Sequence, residues 1–217
     1  GYLVTDDYGG YNAVCQENGI TRVACWAHAR RKFNDALKIQ KVKTGKAQVA
    51  MNYIGKLYRI EKQCAELSNK ERLTIRKNKS SIIISEMRAW LDKSLLQSPK
   101  QSKLGVALHY LNNNWSRLVE FLTDSIIPLD NNAAENAIRP FVIGRKNWLH
   151  SCSVKGAHAS AAIYSVIETA KANGLDPYGY LKFIIEELPV VESVEQIDAL
   201  LPWNVNNEAL TAWNKYS

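Results

Sequence analysis

The carboxylates are the informative set for chemistry in this sequence, Asp6 with Asp7 beside it early in the chain and Asp130 and Glu135 far along it. Asp6 follows Tyr2-Leu3-Val4-Thr5, a β-favouring stretch, and Glu135 lies in a helix-like segment behind the dense start signal Pro128-Leu129-Asp130-Asn131-Asn132. A strand-end Asp and a helix-borne Glu, drawn together from distant positions, are what a divalent-metal phosphoryl-transfer site requires. Hard Mg2+ or Mn2+ prefers oxygen ligands and keeps positions for water and phosphate. Two such ions about 3.5–4 Å apart can activate the attacking oxygen and steady the leaving one. Spacing alone also admits a plain reading, with Asp130 a helix cap and Glu135 a surface carboxylate paired at i,i+4 with Arg139.

Other groups invite weaker chemistry. Cys25-Trp26-Ala27-His28 could be half of a zinc site and His150-X-Cys152 the other half, or both could be structural. A Cys-His nucleophile fits poorly, because Cys25 falls on an expected buried strand, where a thiol is inert. Gly144-Arg145-Lys146-Asn147-Trp148 offers two cations, an amide and an aromatic ring suited to phosphate contact and base stacking, although Trp148 suits a core equally well.

The elements that must position these residues change character along the chain. Tyr2 to Thr5 and Thr21 to Cys25 read as strands, with a helix from Tyr11 to Glu17 that Gly19 stops. Such a strand-helix-strand unit pairs its strands in parallel, and the working residues of open α/β sheets sit at the carboxyl ends of strands, where Asp6 and Asp7 fall. From Ala29 to about Thr123 apolar residues recur at helical spacing, most clearly over Ser80 to Leu91 and Lys103 to Leu122, with Ser98-Pro99 the best break. The helix carrying Glu135 is expected to end or kink at Pro140. Ala157 to Ala172 should close on Asn173-Gly174, and Asp176-Pro177 should cap a helix reaching Leu188. The tail from Pro189 to Ser217, with Pro202-Trp203 and Trp213, reads as a small appended element.

Charge is distributed unevenly. Ala29 to Glu120 holds 20 Lys/Arg against 7 Asp/Glu, whereas the remainder holds 8 against 14. A basic middle of this size suits a polyanion, or is simply a solvated helical surface. The longest apolar run, around Ile82-Ile83-Ile84, is too short to span a bilayer, and no signal segment opens the chain. Cys15, Cys25, Cys64 and Cys152 form no regular framework, which fits reduced thiols in a cytoplasm. The chain starts without Met on a strand-like stretch, so the protein is expected to begin upstream.

Three stretches together are recognisable. Thr5-Asp6-Asp7-Tyr8-Gly9-Gly10-Tyr11, Cys25-Trp26-Ala27-His28-Ala29-Arg30-Arg31-Lys32-Phe33, and Leu129-Asp130-Asn131-Asn132-Ala133-Ala134-Glu135 with Arg139-Pro140 and Gly144-Arg145-Lys146-Asn147-Trp148 closely resemble the bacterial insertion sequence 66 family of DDE-type transposases. The resemblance spans nearly the whole chain, as the C-terminal portion of such a protein.

That resemblance implies an α/β chain: the second half of an RNase H-like catalytic core at residues 1–35 and 125–172, a basic all-helical insertion at 36–124, and a C-terminal element at 173–217, mostly helical overall. It implies a polynucleotidyl transferase that cuts and joins DNA in transposition with Mg2+ or Mn2+. Asp6 and Glu135 are then catalytic metal ligands, with Asp7 standing where the family pattern has Gly. Arg139, Arg145, Lys146, Arg30 and Arg31 are then DNA-binding, and Cys25, His28 and Asn132 support the site. The implied partners are transposon ends and target DNA, further copies of the same protein on DNA, and accessory transposition proteins, with no membrane. The family's first catalytic Asp is expected before Gly1, so this chain alone is expected not to cut DNA. A non-catalytic DNA-binding remnant of a decayed element is the alternative, and a resolvase or nuclease of the same superfamily is a third reading.

Overall fold

Two short parallel strands and the helix between them open the chain. The computed structural model describes residues 1–39, 45–205, 208 and 210. β1 (Tyr2–Thr5) pairs with β2 (Thr21–Ala24) in parallel, Tyr2 opposite Thr21 and Thr5 opposite Ala24, with α1 (Tyr11–Glu17) as the crossover. Gly19 ends α1 at φ +59°, a left-handed conformation that a β-carbon disfavours, while Ile20 N–H reaches back 2.9 Å to the Cys15 carbonyl. β2 stops one residue short of the expected Cys25, because the chain turns there directly into α2 (Trp26–Ile39).

The chain folds as two compact units, Gly1–Ala133 and Ala134–Ser217. In the first unit α2 packs on α3 (Lys46–Gln63) and α6 (Lys103–Asn113), and α3 on α5 (Ser81–Leu96). Trp26, Ala29, Phe33 and Ala36 recur at three- and four-residue spacing and bury one stripe of α2. That stripe joins Ile54 and Leu57 of α3, Met87 and Leu91 of α5, and Leu108 and Leu111 of α6 in a core that also takes in Val23 of β2 and Leu129.

Two departures from the expected helices have local causes. The single helix expected over Lys103 to Leu122 breaks at Asn114, leaving α7 (Trp115–Val119) and a 3₁₀ turn (Glu120–Leu122). Asn114 leaves helical geometry (φ −101°, ψ 8°), with its backbone N–H and its Nδ2 both donating to the Tyr110 carbonyl at 3.1 Å. Between α4 (Asn69–Ile75) and α5 a π-helical turn, Arg76–Ser80, interrupts an otherwise continuous helix and carries the fully buried Arg76.

The second unit continues α8 (Asn132–Trp148) and adds α9 (Val154–Ala172), α10 (Pro177–Glu187), a 3₁₀ turn (Leu188–Val190) and α11 (Val194–Ala199). Of the expected end or kink at Pro140, the end is corrected: α8 runs through Pro140. A proline withdraws one i→i−4 hydrogen bond, but beyond it Phe141 and Trp148 hold the helix against Tyr164 of α9, with ring centroids 5.2 and 5.7 Å from Tyr164. Gly174 (φ +73°) follows α9, and Asp176 caps α10 by accepting the Gly179 N–H at 2.7 Å, as expected. Ala170, Leu175, Tyr180 and Leu210 form a small core. Trp213 lies outside the described residues. The described chain is mostly helical with one two-stranded sheet, and no described helix is long and apolar enough to cross a membrane.

Candidate functional site

Asp6 stands directly beyond the carboxyl end of β1, half-buried, where Oδ1 accepts the Tyr8 N–H at 3.0 Å. Arg22 of β2 fixes the loop around it. Its Nη2 donates to the carbonyls of Asp6 and Tyr8, both at 2.8 Å, its Nε to Thr5 Oγ1 at 3.2 Å, and its Nη1 to Asn12 Oδ1 at 2.5 Å. The strand end is thereby held in one geometry by a neighbouring strand. Asp7 is exposed and makes a 3.7 Å ion pair with Arg117, the kind of surface contact that contributes little. Across from these carboxylates burial pushes the Tyr110 phenol up to about 12, with Asp7 adding to the shift, and Lys32 Nζ lies 4.7 Å from the centre of its ring.

A second cluster joins two of the sequence motifs. Trp26 N–H donates to the Leu129 carbonyl at 3.1 Å, and Asn131 N–H meets Cys25 Sγ at 3.5 Å, so Cys25-Trp26 and Leu129–Asn132 are stapled together. Trp26 Nε1 donates to the Leu118 carbonyl at 2.8 Å, which fixes the same turn to the end of α7. Burial raises the Cys25 thiol above its ordinary value, which disfavours the thiolate, while its Sγ serves as the acceptor for Asn131. His28, on the same turn, donates its N–H to the Cys25 carbonyl at 3.2 Å. Among the described residues no group of three or more His, Cys, Asp or Glu side chains gathers as a metal cluster.

Beside that staple, Asp130 is fully engaged. It accepts the Asn132 N–H at 3.1 Å, Asn132 Nδ2 at 2.8 Å and the Tyr58 hydroxyl at 2.6 Å. Burial first and then Asp130 raise the Tyr58 phenol well above its ordinary range. The Arg30 guanidinium sits over the Tyr58 ring, 5.6 Å from its centre. Arg30, Arg31, Asn34, Tyr58 and Asn132, with Ala27 and Met51, line a depression of about 340 Å³. The structure thus brings Arg30, Arg31 and Asn132 to one place. Tyr58 and Arg22 are site residues that sequence pattern does not reveal: Tyr58 belongs to an apolar helical stripe and Arg22 to a short strand, and neither position signals where its polar end goes.

In the second unit Glu135 is half-buried in the first turn of α8, where a carboxylate is favoured by the helix dipole. Arg139, Arg145 and Lys146 are exposed along the same helix. At about 100° per residue, Glu135, Arg139 and Lys146 share one face and Arg145 stands about 80–120° from them. Trp148 packs at 5.9 Å from Phe141 as part of an aromatic cluster that closes over Gly144, whose absent side chain leaves room for Trp148 and Tyr164.

Comparison with known proteins agrees with these motifs. Residues 1–159 match the Transposase IS66 family and residues 165–203 match the IS66 C-terminal element. Three uncharacterised proteins of Sinorhizobium fredii (strain NBRC 101917 / NGR234) are similar throughout the chain. They are y4hP, 34% identical over 94% of the chain and 39% of its own length; y4qI, 32% identical over 97% and 40%; and y4jD, 31% identical over 94% and 41%. The chain therefore spans about two fifths of the length of these curated relatives. No solved structure matches it. With its strand-end, Cys25–Phe33 and Leu129–Glu135 motifs all inside the matched region, the chain belongs to the IS66 transposase family.

Proposed function

We propose that this chain is the C-terminal portion of a DDE-type transposase that cleaves DNA and transfers its strands, with Asp6 and Glu135 as two of three metal-binding carboxylates. The observation that carries the reading is the position of Asp6 at the carboxyl end of β1 in a parallel strand-helix-strand unit, its loop locked by Arg22. In α/β sheets that edge is where ligands bind. The RNase H-like core with its 36–124 helical insertion is the architecture that accompanies this reading.

The donor chemistry fits a hard divalent cation. Asp6 and Glu135 supply oxygen, and Asp6 Oδ2 accepts no hydrogen bond among the described residues. Mg2+ or Mn2+, when bound, would activate the attacking oxygen and steady the leaving one. The chain's own contribution is placement. Arg22 and Thr5 hold Asp6 at the strand end, α8 presents Glu135, and Arg139, Arg145 and Lys146 on that helix face the phosphates of the transposon end. Cys25, His28 and Asn132 hold the neighbouring turns. Further copies of the protein on paired ends, accessory proteins and a cytoplasmic setting complete the proposal.

Because a DDE centre takes three carboxylates, the test uses the full-length protein on labelled transposon ends with Mg2+ or Mn2+. Glu135→Gln and Asp6→Asn should each abolish strand transfer while leaving DNA binding in place. Unchanged strand transfer in either variant would overturn the assignment.

A further inference from the structure

Arg30 and Arg31 are neighbours on α2, yet both line the depression beside the Asp130–Tyr58 pair. Neither makes an ion pair with an acid among the described residues, and both are exposed. Asp130, which binds the Tyr58 hydroxyl, already accepts three hydrogen bonds from Asn132 and Tyr58, and Asp35 of the same helix as the two arginines is paired with Lys38. Two guanidiniums without counter-ions at the mouth of a shaped depression are a receptor for an anion with several oxygens, because their planar forks match such oxygens in pairs. The Arg30 guanidinium already covers one face of the Tyr58 ring. Met51 and Ala27 supply an apolar wall that suits a sugar.

Resting on the DNA reading above, we infer that this depression seats a backbone phosphodiester of DNA between Arg30 and Arg31, with Tyr58 as the positioning residue that holds Arg30 over the seat. Tyr58 is itself anchored by its hydrogen bond to Asp130, which also orders Asn132, the first residue of the helix that carries Glu135. A phosphate bound here is linked to the start of that helix through the Arg30 contact on the Tyr58 ring and the hydrogen bonds that Tyr58 and Asn132 both make to Asp130.

The test measures fluorescence anisotropy of a fluorescein-labelled duplex carrying the element's end, bound by the full-length protein across a KCl series. Arg30→Ala/Arg31→Ala should weaken binding by on the order of tenfold per lost guanidinium and flatten the slope of log K against log[KCl] by roughly 0.9 per lost phosphate contact. Arg30→Lys/Arg31→Lys should keep the slope and lose severalfold in affinity, since Lys keeps the charge without the fork. Tyr58→Leu should weaken the unaltered protein severalfold and have no further effect on top of Arg30→Ala/Arg31→Ala, a dependence that a merely structural role would not show. Lys155→Ala/Lys171→Ala removes two exposed cations elsewhere and should leave both quantities close to those of the unaltered protein. If the unaltered protein binds with a steep salt dependence and Arg30→Ala/Arg31→Ala matches it, or loses no more than the Lys155/Lys171 variant, the seat is overturned and the DNA reading stands. If the unaltered protein binds no DNA, or binds with a flat salt response, both fall together.

Discussion

Replacing Arg76 by Met should be among the most damaging single changes in the first unit, and the structure sets its size. Arg76 is fully buried and every N–H of its guanidinium is used. Nε and Nη2 grip the two oxygens of Glu61 at 2.9 and 2.7 Å, Nη1 reaches the Phe121 and Asp124 carbonyls at 2.8 and 2.7 Å, and Nη2 also reaches the Ile127 carbonyl at 2.9 Å. The π-helical turn at Arg76–Ser80 is thereby tied to α3 and to the segment that leads into Leu129–Asn132. Met fills much of the volume but leaves a half-buried carboxylate uncompensated, a loss of about 3–5 kcal/mol. Each orphaned carbonyl would add about 1–3 kcal/mol where water cannot reach it. A loss of at least about 4 kcal/mol, the carboxylate's share alone, is large against a typical domain stability of about 5–15 kcal/mol. With a urea m-value of about 2 kcal/mol per M, the midpoint should fall by at least about 2 M. Glu61→Gln on the same background should restore part of that loss, because the stranded charge goes with it. A midpoint shift worth less than about 1 kcal/mol, or a double-mutant cycle with no coupling between Glu61 and Arg76, would refute this account of the network.

High pH should weaken the first unit. Tyr110 and Tyr58 are both shifted upward by burial, so the folded chain holds phenolic protons that the unfolded chain releases near pH 10. Stability is therefore whole below about pH 10 and is lost as pH climbs towards about 12, the value at which folded Tyr110 titrates. Tyr110→Phe should flatten that decline in urea midpoints taken below and within the window, and an equally steep decline in the variant would argue against the assignment. Leu149 occupies φ +62° just beyond α8, although its side chain is exposed. Leu149→Gly should raise the melting temperature slightly, by relief of roughly 1–2 kcal/mol of left-handed strain less the 0.5–1 kcal/mol that Gly's freedom costs; a lower melting temperature would show that the Leu149 side chain holds contacts of its own.

How much of the fold is legible in the sequence depends on whether the signal is local. The opening strand-helix-strand unit can be read because the extended residues, the apolar spacing and Gly19 all act within a few positions of one another. The Asp176 cap on α10 is local for the same reason. The helix does not end at Pro140, and beyond it Phe141 packs on Tyr164 of α9, a partner that lies far along the chain. The expected continuity through Asn114 failed where an amide side chain shares the Tyr110 carbonyl with the backbone N–H, a contact that helical periodicity does not register.

For the candidate site, the sequence by itself determined the chemical inventory: an Asp at a strand end, a Glu on a helix, paired arginines on α2, and the three motifs that place the chain in its family. Tertiary structure decided which groups meet. Cys25-Trp26 docks on Leu129–Asn132, Arg22 locks the Asp6 loop, Tyr58 joins Asp130 to Arg30, and Arg76, one of 28 Lys and Arg residues, disappears into the core. The reason is physical. Helix and strand preferences act between near neighbours, whereas hydrogen bonds to buried carbonyls and carboxylates are settled only when distant segments exclude water together.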